Sequence, residues 1–108
     1  MLSLAGLLEK CSKEFSGIPG LIAIYGVDLE AMKLTRRGKG TAQEDQALLE
    51  VLVGLVRLLR DDSLQMLLIE KRERIFIRRI DAGTLLVFVA DKNVPIGNLF
   101  TLIRKLDY

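Results

Sequence analysis

The chain has 108 residues, half of them apolar and 28% charged, with a formal net charge of +2. That is enough apolar material to offset the entropy of ordering, so disorder is excluded and one domain spanning residues 1–108 is expected. Histidine is absent and cysteine occurs once, which leaves no imidazole acid–base pair, no catalytic triad and no metal site, and implies no cofactor.

Leu4, Leu7, Leu8, Cys11 and Phe15 recur at helical spacing and predict an amphipathic first helix, capped by Ser3 and stopped by the glycines and proline of 17–20. Residues 21–25 read as a buried strand, 26–28 as a turn, 31–35 as a weaker strand and 36–40 as a flexible basic loop. A long helix is expected from Thr41 to about Asp61. Thr41 and Glu44 have capping-box spacing, and the acidic start and the Arg57 and Arg60 end suit the helix dipole. Three strands follow at 64–70, 74–80 and 84–90, with turns between them short enough for antiparallel hairpins, and a last helix covers 96–106.

The order is therefore α-β-β-α-β-β-β-α. The runs at 66–69 and 85–90 are apolar without alternation, which requires both sheet faces to be covered. The first and last helices belong on one face and the long middle helix on the other.

That middle helix carries more apolar surface than one sheet needs. On a helical wheel Leu48, Leu52, Leu55 and Leu59 form a ridge, with Val51 and Leu58 at one edge and Leu49, Val53 and Val56 at the other. The arc covers roughly 220°, where packing against one surface takes a little over about 100°. Glu50, Arg57 and Asp61 mark the wet face and are the candidate partner-binding residues. The surplus calls for a second partner, of which a copy of the same helix is the simplest, and Gly54 permits close backbone approach. The rival reading is a monomer that hides the helix under its own loops.

The sharper motifs weaken on inspection. Residues 36–41 lack the glycine and hydroxyl spacing of a phosphate loop and read as a solvated loop. Lys71, Arg72, Arg74, Arg78 and Arg79 form a basic patch diluted by Glu70, Glu73 and Asp81, better suited to a solvated sheet edge than to tracking phosphates. Two tyrosines, four phenylalanines and no tryptophan supply a poor stacking platform for bases, and the net charge is mild. Cys11, on the first helix's apolar stripe, reads as an inert core thiol and suits a reducing cytoplasm. The apolar stretch 47–59 is too short for a bilayer, and the first residues lack the basic start of a secretory signal, so neither direct membrane insertion nor export is expected.

The pattern resembles the Roadblock / dynein light-chain domain, a relative of longin and profilin-like folds. The resemblance lies in residues 17–24, 68–70, 75–80, 83–91 and 96–106, covers nearly the whole chain, and is a profile of apolar spacing rather than a catalytic signature. One departure is the first hairpin turn, where the family often has glycine and this chain reads Val27, Asp28, Leu29, Glu30. The resemblance implies an α+β fold with a five-stranded antiparallel sheet and helices on both faces. It also implies a two-fold homodimer, joined through Leu49, Val53, Val56 and Arg60 on the helix and through Gln65, Met66, Leu67, Leu68 and Ile69 on the following strand.

In function it implies a non-catalytic, cytoplasmic scaffold that binds and regulates a Ras-like small GTPase, with Arg57 and Arg60 available to contact it. The alternatives are a sensory module enclosing a small ligand and, further off, a nucleic-acid binder through the basic hairpin.

Overall fold

The computed structural model describes residues 3–61 and 63–106. Its elements are α1 (Leu4–Glu14), β1 (Leu21–Asp28), β2 (Lys33–Gly38), α2 (Ala42–Gly54), α3 (Val56–Leu59), β3 (Met66–Glu70), β4 (Arg74–Asp81), β5 (Thr84–Ala90) and α4 (Ile96–Arg104). Both predicted caps act as such. Ser3 Oγ accepts from the Gly6 N–H at 3.1 Å, and Thr41 Oγ1 accepts from the Glu44 N–H at 3.2 Å.

The five strands form one antiparallel sheet in the order β2-β1-β5-β4-β3. Alternation along the interior strands sends Tyr25, Val27, Ile77, Leu85 and Val87 to one face and Ile24, Phe76, Leu86 and Phe88 to the other. Leu48, Leu52 and Leu59 of α2 and α3 cover the first face. Leu7, Leu8 and Cys11 of α1 cover the second together with Leu99 and Ile103 of α4. The sheet lies between two helical layers, which is why β5 can be apolar at consecutive positions.

The long helix is broken. Leu55 has φ −106° and ψ 8°, and its N–H bonds to the Leu52 carbonyl at 3.1 Å, three residues back instead of four. Gly54 weakens helix by about 1 kcal/mol relative to alanine. The chain yields at that joint while Leu59, fully buried, fixes the segment beyond it.

The first hairpin also differs. Residues 26–28, read as a turn, are strand, and Gly26 pairs with Leu86 on one side and Thr35 on the other. A Cβ at Gly26 would stand 2.9 Å from Leu4 Cδ1, so the missing side chain seats the start of α1. The turn falls at 29–32. There Asp28 Oδ1 accepts from the N–H groups of Glu30 and Ala31 at 3.0 and 3.2 Å, and Met32 takes φ 50°. An aspartate side chain thus organises the turn where the family often has glycine. β2 moves along accordingly and absorbs Arg36 and Arg37 from the expected loop. β3 begins at Met66 instead of residue 64, and α4 ends at Arg104 with residues 105–106 outside the helix.

Candidate functional site

The outer surface of α2 and α3 retains the apolar surplus. Val53 is 52% exposed and Leu58 43%, while Leu49, Val51, Leu55 and Val56 are half-buried. Glu50, Arg57, Arg60 and Asp61 are all exposed. Beside this surface β3 ends the sheet, so one of its edges carries no strand among the described residues. Met66 turns toward the α1–α4 layer, and Leu67 and Ile69 turn toward the α2 layer, all three half-buried. Leu68 is 37% exposed. Gln65 is exposed just ahead of the strand, and its carbonyl accepts from the Arg79 N–H at 2.8 Å.

The α2 surface has two flanks. At about 100° per residue, Leu49 and Val53 lie on the opposite side of the Leu48–Leu52 ridge from Ala47 and Val51. Ala47 and Val51 line a groove of 380 Å³ that reaches the turn between β3 and β4; Leu49 and Val53 line no part of it.

Arg79 departs most from the sequence reading. It is not part of a solvated basic edge but is 5% exposed, pointing inward from β4 on the face shared by Ile75 and Ile77. Its Nε donates to the Leu64 carbonyl at 2.7 Å, and its Nη2 donates to the carbonyls of Leu59 and, at 3.1 Å, Asp61. Nη1 donates to the Asp81 carbonyl at 3.2 Å. One guanidinium thereby satisfies the carbonyls that end α3, lead into β3 and form the β4–β5 turn. Period-two alternation from Ile75 was the available signal, since it places residue 79 inward. Arg74 also leaves the patch, pairing with Glu70 at 3.4 Å.

Asp61 is committed locally as well. Its carboxylate accepts from the Ser63 hydroxyl at 2.7 Å and the Ser63 N–H at 2.9 Å, and these bonds hold it below the usual carboxylate range.

A second anchor sits at the other end of the middle helix. Asp45 Oδ1 accepts from the Tyr25 hydroxyl and from Arg36 Nη1, each at 2.7 Å. Arg36 also reaches the Thr41 carbonyl at 3.3 Å. The expected basic loop therefore ties β2 to the first turn of α2. Burial, then the bond to Asp45, pushes the Tyr25 hydroxyl up to about 12. Cys11 is fully buried, and burial, with Glu14 adding to it, pushes its thiol up to about 11, which keeps it protonated and unreactive at neutral pH. Among the described residues no helix is long and apolar enough to cross a membrane.

No protein-family model matches the sequence, and no curated protein matches it. The structure, however, is similar to that of MglC from Myxococcus xanthus, with a TM-score of 0.69 and 14% identity over 95% of this chain and 92% of that one. It is also similar to a Roadblock/LC7 domain from Streptomyces avermitilis, with a TM-score of 0.65 and 14% identity over 86% of this chain and 88% of that one. At such identity the likeness speaks to architecture: the chain has the Roadblock/LC7 fold, as the sequence resemblance implied.

Proposed function

We propose that the chain is a non-catalytic homodimeric scaffold that binds a Ras-like small GTPase and modulates its activity or location. The observation that carries this reading is the exposure of Val53 and Leu58 on the middle helix, next to a sheet that ends in the apolar strand β3. Isolated exposed apolar residues are ordinary, but exposed apolar side chains on both edges of a helix that lies beside an open strand edge favour association. Two copies related by a two-fold axis would bury Val53 with Leu49 and Val56, and would pair β3 with its mate.

The Roadblock/LC7 fold, together with the sequence resemblance, supports the GTPase as partner. Glu50, Arg57 and Arg60 are then the exposed charges available to it. The role assigned to Asp61 narrows to shaping the end of α3, because its carboxylate is already engaged by Ser63. The test is affinity capture from the source lysate under GTP- and GDP-loaded conditions, read by mass spectrometry. Recovery of a P-loop GTPase, sensitive to the nucleotide, is expected. A lysate containing such GTPases that yields none in either state contradicts the reading.

A further inference from the structure

The groove beside α2 has the form of a small-molecule site. Its floor is the sheet, with Ile22, Ile75 and Val89, and its wall is the flank of α2 bearing Ala47 and Val51. The register shift between Leu21 and Ala23 sets Ile22 beside Ala23 on this face, which opens the floor at the start of β1. At 380 Å³ it falls within the range of about 300–1,000 Å³ typical of ligand pockets.

The rim is charged. Lys39 stands at one end, held there by its N–H bond to the Ile22 carbonyl at 3.1 Å. Lys71 and Arg72 stand at the other, on a turn closed by the bond from the Lys71 N–H to the Glu73 carbonyl at 3.0 Å. Among the described residues none of these three cations has an ion-pair partner. With Glu44 and Glu73 as the rim's carboxylates, three cations stand against two anions.

We propose that this groove binds a small anionic amphiphile, an unbranched acyl carboxylate of medium length, with its chain over Ile22, Ile75 and Val51 and its carboxylate at Lys71 and Arg72. Below the charged rim the lining is aliphatic apart from Tyr25, whose hydroxyl is spent on Asp45, which suits a hydrocarbon chain better than a ligand with polar atoms along its body. Strands β1, β5 and β4 under the groove are interior and hydrogen-bonded on both edges, which closes the site to a peptide adding as a strand. Arg72 offers a carboxylate the paired donors that such a group accepts best. This site stands apart from the GTPase reading and does not depend on it.

The test is isothermal titration calorimetry of the full chain with decanoate below its micelle-forming concentration, alongside decyltrimethylammonium as the cationic control. One saturable site per chain is expected, with decanoate favoured about tenfold or more, as loss of a charge-assisted bond implies. Val51→Phe fills the groove and should abolish binding. The double exchange Lys71→Glu with Arg72→Glu, at exposed turn positions, should weaken it about tenfold or more while the thermal transition is retained. No saturable heat, equal binding of the cationic control, or binding indifferent to Val51→Phe would overturn the proposal. A wild-type chain that ignores decanoate, but whose oligomeric state changes on Val51→Phe, would give the groove to a second copy and overturn it equally.

Discussion

Arg79 donates from Nε to the carbonyl of Leu64 across 2.7 Å, and the same guanidinium closes the end of α3 at Leu59. A helix end buried without such a partner leaves carbonyls desolvated and unpaired, each costing about 1–3 kcal/mol. Arg79→Met is therefore expected to destabilise the fold by at least about 3 kcal/mol in urea unfolding. Arg79→Lys should fall between the two, since an ammonium cannot serve the same fork of acceptors. Equal stability of Arg79→Met and wild type would show that the guanidinium is dispensable.

The Tyr25–Asp45 bond has a signature in alkali. A tyrosine raised from 10.0 to about 12 in the folded state keeps its proton there while the unfolded chain loses it. Its contribution is complete below about pH 10 and is lost as pH rises toward 12. Tyr25→Phe should cost about 1 kcal/mol at neutral pH. It should also flatten the alkaline decline relative to wild type. Cys11 contributes its own decline in both proteins, so the difference between the two profiles is the quantity to measure. Parallel profiles would contradict the assignment.

Two glycines should respond oppositely to alanine. Gly54 is exposed in helix with open space around the missing Cβ, so Gly54→Ala should stabilise by about 0.5–1 kcal/mol. Gly20 sits at φ +84°, and a Cβ there would lie 2.9 Å from the backbone nitrogen of Val94. Gly20→Ala should cost about 1–3 kcal/mol from backbone strain alone. Denaturant midpoints of the two variants decide both.

Much of this architecture was legible because it depends on local chemistry. Ser3 and Thr41 announce helix starts through side chains that reach only three residues ahead. The unbroken apolar run of β5 announced two covered faces. What escaped depends on distant partners. Near Leu55 only the weak helix former Gly54 hints at the break, because what fixes the far side of that joint is the burial of Leu59 and its carbonyl's bond to Arg79, twenty residues on. Arg36 reads as loop charge until Asp45 is brought against it. Of the candidate site, the wheel foresaw the apolar excess at Val53 and Leu58 but not the groove on the Ala47–Val51 flank, which exists only once the β3–β4 turn is placed opposite.

The open edge of β3 offers its own check. Leu68→Lys puts a charge on the exposed side of a terminal strand, a substitution that discourages edge pairing while leaving the core untouched. It should weaken self-association at least about tenfold, and leave the thermal transition of the isolated chain within about 0.5 kcal/mol. Unchanged association would remove β3 from the interface.

Sedimentation velocity of the unmodified chain across the micromolar range, run beside Val53→Asp, bears most directly on the scaffold reading. The unmodified chain should sediment at twice its own mass, and the variant at the monomer mass with its circular dichroism intact, because a buried unpaired charge would forbid the contact. A single folded monomer at every concentration, with Val53→Asp indistinguishable from it, would contradict the dimer and leave the exposed helix surface without the partner assigned to it.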